Sequence, residues 1–415
     1  MTSKYLAAVA AVGTTGWLGW RALRRSDERA LARDPELAAL SRPRSRQALE
    51  VRSWDGTRLH AEVSGSNDAP TVVLVHGWTC SLRLWQYQLA ELAEGHRIVA
   101  YDLRGHGESA PAANGDYSMD ALAADLGAVL RACVPQGQRA VVVGHSAGAM
   151  SVVAWAGKHP DQVQTRLGGA VLLDTGVERL IADSRIIVTV QALSRIKGAV
   201  GRRILGVAVG LPPGCSPLLH RVVRYVALSR NAPPAQVAFC ERMLADCPAG
   251  ARAALGLTLS EVDLRDALPA LDVPTVVVVG ELDRLTPPVH ARSIAEAVPG
   301  AVLVEIPAVG HMTPLEAHAD VSRHIRELVR RVLPVATGKD GRTARREERT
   351  MDSSDGGEWY WCLHHKRPEP AGEQCAADDR LGPYPSREKA LQWRQQVDDR
   401  NERWRQQDRE WEGDD

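Results

Sequence analysis

The sequence has no surplus of either charge: 51 Lys+Arg stand against 51 Asp+Glu in 415 residues. A nucleic-acid binder normally carries a basic surplus, so that class is disfavoured. Apolar runs of about 20 residues, the length of a membrane span, do not recur, which excludes a polytopic membrane protein. Cysteine is sparse, with 7 residues, too few for a disulfide scaffold in a chain of this size. Cys80, Cys133, Cys215, Cys240 and Cys247 are scattered and read as small buried hydrophobes. Only Cys362 and Cys375 share a core-poor segment; a disulfide between them needs an oxidising compartment, and both redox states stay open. No P-loop, no dinucleotide glycine fingerprint and no His-Glu-x-x-His zinc motif occurs. The glycine-rich stretch Asp102 to Gly107 lacks a phosphate-cradling lysine. No cofactor is expected. Phenylalanine is nearly absent, with 1 Phe against 11 Trp, and Trp359, Trp361, Trp393, Trp404 and Trp411 crowd the C-terminal end.

What remains is a globular composition, 44% hydrophobic and 25% charged, long enough to bury a large core. The chain divides by pattern. Residues 1–25 form a hydrophobic, signal-like or anchor-like segment: Tyr5 to Trp20 is uncharged, and Arg21, Arg24 and Arg25 follow two interfacial tryptophans. An uncleaved membrane anchor of undetermined sidedness is the expectation, with a cleaved signal and a peripheral arm as rivals. Residues 26–47 read as a charged helical linker broken near Ser41-Arg42-Pro43. From 48 to 335 the periodicity changes. Strands are predicted at 49–54, 58–63, 71–75, 97–101, 140–143, 169–173, 274–279 and 301–306, most of them followed by a helical pattern. This alternation implies an α/β fold with a largely parallel eight-stranded sheet and helices on both faces.

One interruption breaks the alternation. Residues 177–268 show no strand pattern, and prolines cut them into short helices. An all-helical insertion of this kind lies over the carboxyl edge of the sheet, where open α/β sheets bind ligands. Ile186, Ile187, Val188, Val190, Leu193, Leu205, Val207 and Val209 give it an apolar character. Beyond 336 the composition shifts again: residues 338–415 hold 15 Lys+Arg and 19 Asp+Glu. Residues 336–356 read as a disordered linker. Residues 357–415 read as a small Trp-rich α+β domain, with a strand at 358–363 and a helix at 386–411. That helix lines up Trp393, Val397, Trp404 and Trp411 on one face.

The chemistry centres on Gly144-His145-Ser146-Ala147-Gly148, a G-x-S-x-G pattern between a predicted strand and a predicted helix. Gly144 and Gly148 permit the tight turn that pushes the Ser146 hydroxyl out over the sheet edge. A serine hydroxyl is a weak nucleophile and needs a base oriented by a carboxylate. His311 follows the last predicted strand and Asp283 the one before it, with Asp174 a second candidate acid. The order Ser146, Asp283, His311 is the order such an elbow requires. The backbone N–H groups of Ala147 and Trp78 are the natural donors to a developing oxyanion. His76, Gly77 and His145 read as loop-shaping.

These motifs, with Asp102-Leu103-Arg104-Gly105-His106-Gly107-Glu108-Ser109, Gly280-Glu281-Leu282-Asp283 and Thr286-Pro287, resemble the α/β-hydrolase fold family over residues 48–335. More narrowly, they resemble its capped lipase- and esterase-like branch. The resemblance implies a serine hydrolase acting on small-molecule esters, apolar ones given the cap, without metal. Serine at 146 disfavours branches with an aspartate nucleophile, such as epoxide hydrolases. Carbon–carbon bond hydrolases and cofactor-free haloperoxidases remain alternatives, as does a non-catalytic envelope scaffold. Trp359 to Leu363 with Arg380-Leu381-Gly382-Pro383-Tyr384-Pro385 resembles a small uncharacterised actinobacterial domain, which carries no known chemistry. Cys362, His364, His365 and Cys375 are metal-ligand types. Their spacing fits no standard finger, so core packing is the expectation there.

Overall fold

The computed structural model describes residues 20–41, 46–186, 216–333, 359–362, 365, 367–371, 380–384, 387 and 390. Two compact units divide the chain, residues 1–335 and 336–415.

The first unit is built on an eight-stranded sheet: β1 (Gln47–Arg52), β2 (Arg58–Ser64), β3 (Thr71–Val75), β4 (Arg97–Tyr101), β5 (Ala140–His145), β6 (Leu167–Leu173), β7 (Thr275–Gly280) and β8 (Val302–Ile306). All eight expected strands are present, with ends shifted by one or two residues. The spatial order is β1-β2-β4-β3-β5-β6-β7-β8. β2 runs antiparallel to both its neighbours, β1 and β4, and every other neighbouring pair is parallel. The central strands are β-branched and buried on both faces, as a sheet covered by helices requires. Alternate residues sort into two cores. Val73, Val75, Val142 and Val277 pack with helices Met119–Cys133 and Ala147–Lys158. Val72, Leu74, Val141 and Val278 pack on the other face with helix His318–Val332.

The chain leaves β3 toward β4 on one side and reaches β5 on the other, and open α/β sheets bind ligands at the carboxyl ends of strands at such a reversal. Trp78 and Ser146 lie just beyond those two ends. Asp174, Asp283 and His311 follow the ends of β6, β7 and β8, the next strands along the same edge.

Between β6 and β7 the described residues are helical: Leu180–Asp183, Pro217–Ala227, Pro234–Asp246, Ala249–Glu261 and a 3-10 turn at Arg265–Ala270. The apolar run expected at 187–209 lies outside the described residues. So do residues 1–19, which hold most of the expected anchor. Among the described residues no helix is long and apolar enough to cross a membrane, so the anchor expectation gains no support.

The expected linker at 26–47 corresponds to a docked arm. Residues 20–32 are helical and helix Glu36–Ser41 follows. Asp27 pairs with Arg221 at 2.9 Å, the Asp34 carboxylate accepts from the Ala235 N–H at 2.8 Å, and Leu40 is buried.

The second unit holds a three-stranded antiparallel sheet, β9 (Trp359–Cys362) between β10 (Arg367–Pro370) and β11 (Arg380–Tyr384). The strand over 358–363 was expected. Its two partners contain Pro368, Pro370 and Pro383, which suit outer strands because proline has no N–H to donate. The expected helix at 386–411 lies outside the described residues apart from Arg387 and Ala390, which are helical.

The Asp102 to Ser109 loop is a structural brace beside the site. The fully buried Arg104 guanidinium makes two 2.7 Å bonds to the Asp125 carboxylate and reaches Asp55 at 3.1 Å. Removing the guanidinium leaves a buried carboxylate without its counter-charge. Arg104→Ala is therefore expected to lower unfolding free energy by about 3–5 kcal/mol in denaturant titrations. A loss within about 0.5 kcal/mol would show that the pair braces nothing.

Candidate active site

Ser146 sits at φ +51°, ψ −119°, at the junction of β5 and helix Ala147–Lys158. A serine in this position ordinarily caps its helix, but Ser146 makes no such side-chain bond. The hydroxyl is thereby not engaged by its own helix. The backbone is pinned on both sides: its N–H donates to Leu173 O at 2.9 Å, and its carbonyl accepts from Thr175 Oγ1 at 2.9 Å.

Three glycines make the turn possible by close approach. A side-chain carbon at Gly144 would lie 2.5 Å from Ala149, and one at Gly148 would overlap the Val75 carbonyl. At Gly77 it would lie 3.0 Å from the Ser146 Cβ and 2.7 Å from His145 Nδ1. The loop after β3 therefore presses directly on the elbow, which puts Trp78 beside the serine. No hydrogen bond among the described residues uses the Trp78 N–H. Ala147 is the first residue of its helix, and its N–H has no partner within that helix.

His311 and Asp283 are brought together. His311 Nδ1 donates to Asp283 Oδ2 at 2.7 Å, with the carboxylate fully buried and the imidazole 5% exposed. Asp283 is itself held by the N–H groups of Leu285 (2.8 Å) and Thr286 (2.9 Å) and by the Thr286 hydroxyl (2.8 Å). Burial works against a charged imidazole at 311. The Asp283 charge and hydrogen bond, with Asp174 and Glu316 behind them, outweigh it and raise the His311 pKa above its ordinary value.

Asp174, the second candidate acid, takes a supporting place. Its Oδ1 accepts from the Gly280 N–H at 3.1 Å, and its Oδ2 from the Thr313 N–H at 3.0 Å and the Thr313 hydroxyl at 2.5 Å. It thus ties the β7 end to the loop that carries His311. Burial and the nearby Asp283 charge raise its pKa well above the carboxylate range.

Two further buried histidines, His76 and His145, bond to the loops around the site. His76 Nδ1 donates to Gly77 O at 2.8 Å and Nε2 accepts from the Leu103 N–H at 2.9 Å, which fixes a neutral ring. Burial and the neighbouring His106 lower its pKa well below the usual value. His145 is held neutral by burial and by His311, with its pKa down at about 3. Its Nε2–H donates to the His311 carbonyl at 2.9 Å, so it carries the His311 backbone.

The helical insertion reaches the same groups. The His311 N–H donates to Ala227 O at 2.9 Å, at the end of helix Pro217–Ala227. Glu316 accepts from the Ser229 N–H (2.8 Å) with one oxygen and from the Gly310 N–H (3.0 Å) with the other. The Trp78 indole N–H donates to Arg252 O at 2.9 Å on helix Ala249–Glu261. Sequence reasoning did not single out Glu316 or Thr313, and it took Thr286 only as part of a motif. The signal available for Thr286 was its position three residues after Asp283, the spacing of a side-chain-to-backbone turn.

A model of the alpha/beta hydrolase fold matches residues 70–317. The chain belongs to the α/β-hydrolase fold family. It is a hydrolase. A bifunctional esterase/perhydrolase of Acinetobacter calcoaceticus is 28% identical over 291 residues, 68% of this chain and 99% of that protein. The pimeloyl-[acyl-carrier protein] methyl ester esterase of Aeromonas hydrophila is 26% identical, covering 63% of this chain and 95% of that enzyme. Among solved structures, a thermophilic esterase from Thermogutta terrifontis superposes with a TM-score of 0.57 at 28% identity, over 69% of this chain and 99% of that one.

The pKa direction gives a direct test. In a proton NMR titration the His311 ring is expected to titrate above 6.5, the ordinary value, and lower in Asp283→Asn, where burial then acts with less opposition. A midpoint that the substitution leaves in place would remove Asp283 as the source of the shift.

Proposed function

We propose that this hydrolase cleaves carboxylic esters with apolar acyl groups, through an acyl-enzyme on Ser146. The reading rests chiefly on the buried 2.7 Å bond between His311 and Asp283, on an edge of the sheet shared with a serine whose hydroxyl is not spent on its own helix. The esterases among its relatives support the reaction class, and the apolar cap sequence supports the acyl preference.

In this mechanism Ser146 Oγ attacks the ester carbonyl carbon while His311 Nε2 takes its proton. The Trp78 and Ala147 N–H groups receive the oxyanion. Collapse breaks the bond to the alcohol oxygen, which leaves with the proton from His311. Water, deprotonated by His311, then attacks the acyl carbon, releasing the acid and restoring the serine. Asp283 keeps Nδ1 protonated and supports the imidazolium. Only neutral His311 can accept the first proton, so kcat/KM rises with pH through its raised pKa. A second reading follows from the bifunctional relative: hydrogen peroxide in place of water would take the acyl group as a peracid.

Esters of graded acyl length are expected to be hydrolysed, with longer apolar chains preferred and Ser146→Ala reducing kcat by at least about 10⁴-fold. A fluorophosphonate should label Ser146. Labelling without turnover of any ester would discard ester hydrolysis in favour of a carbon–carbon bond or haloperoxidase reaction on the same residues.

The oxyanion assignment has its own test. Trp78→Phe keeps the backbone donor and loses only the indole bond to Arg252, so it should retain more activity than Ala147→Pro, which deletes a donor. Equal losses in two folded variants would refute it.

A further inference from the structure

Glu369 is 4% exposed in a sheet whose strands have only four or five residues. Small units of this kind need a staple such as a disulfide or a metal, and the buried Cys362 is a free thiol.

The hairpin gathers three ligand types. Glu369 pairs directly with Tyr360 across β9 and β10, and Cys362 is two residues from Tyr360, so pleating puts the Cys362 and Glu369 side chains on one face. His365, in the turn between the strands, faces both: its Nδ1 lies 3.5 Å from Cys362 Sγ and 2.9 Å from Glu369 Oε1. All three ligand atoms lie within 4.8 Å of one another. Zinc bonds of about 2.3 Å to sulfur and about 2.0–2.1 Å to nitrogen, at a tetrahedral angle, separate those two atoms by about 3.5 Å. A second contact points the same way: the His365 backbone N–H donates to Cys362 Sγ at 3.2 Å, the kind of outer bond that supports a metal-bound thiolate.

We infer that Cys362, His365 and Glu369 hold a divalent transition metal ion of the zinc class, with the remaining position open to a fourth ligand. Thiolate, imidazole and carboxylate together select zinc or cobalt over magnesium or calcium. The ion ties β9, the turn and β10 into one unit. The three ligands are none of the residues assigned to the ester chemistry, and occupancy can be read without an activity assay.

The test uses the full-length chain, without an affinity histidine tag. Elemental analysis should find one zinc per chain. After chelation, cobalt(II) titration should give the sulfur-to-cobalt charge-transfer band and the visible bands of a tetrahedral site. Cys362→Ser should abolish the charge-transfer band. Glu369→Gln should keep that band, since the sulfur remains, while weakening cobalt binding by about 10-fold or more. Thermal unfolding of the Trp-rich unit in the wild-type chain should shift upward with zinc. The inference is overturned if the wild-type chain binds well under one equivalent of either ion. It is equally overturned if the substituted chains bind both ions as tightly as wild type, which would place the metal elsewhere. Because the wild-type titration stands alone, misfolding of Cys362→Ser would not rescue the idea.

Discussion

Ser146 holds its left-handed backbone conformation because β5, the loop after β3 and the helix from Ala147 meet where no further side-chain carbon fits. A non-glycine residue in this region costs about 1–3 kcal/mol. The surrounding sheet supplies that energy through strands buried on both faces. The same crowding sets the position of the groups packed around the serine. Gly77 touches the elbow, so Trp78 must lie beside it, and His145 must point away, toward the His311 carbonyl. The strained turn is thus the datum from which the other groups are measured.

The helical insertion is part of the site's framework as well as a cover. Ala227 O receives the His311 N–H, Glu316 bridges Ser229 to Gly310, and Arg252 O receives the Trp78 indole. Two regions that would bracket a substrate, the loop after β3 and the loop after β8, are each bonded to a different helix of the insertion. A shift of those helices would change the orientation of His311 and of the loop carrying Trp78 together.

Much of this was legible in the sequence because each residue of the proposed site follows a run rich in β-branched residues. Val141–Val143, Val276–Val279 and Val302–Ile306 announce strands, and Ser146, Asp283 and His311 stand at fixed short distances beyond them. The supporting groups were not legible, since they act through backbone atoms or through distant pairing. Nothing local marks the Ala227 carbonyl as a partner of residue 311, or Glu316 as a bridge. Asp174 read as a rival acid because its chain position is equivalent in kind to that of Asp283; only the bond from His311 separates the two. In the second unit the outer strands were hidden by their prolines, which locally argue against sheet structure. The N-terminal arm read as a linker because its charges resemble a solvated helix, while Asp27 and Asp34 in fact meet partners about 200 residues away in sequence.

Those prolines have a consequence for how copies of the chain meet one another. Both outer strands of the small sheet carry residues that cannot donate a backbone hydrogen bond: Pro368 and Pro370 on one side and Pro383 on the other. An exposed strand edge invites pairing with the same edge of a neighbour, and proline interrupts the ladder such pairing needs. Among the described residues, the edges along which this three-stranded sheet could be extended thus lack backbone donors at Pro368, Pro370 and Pro383.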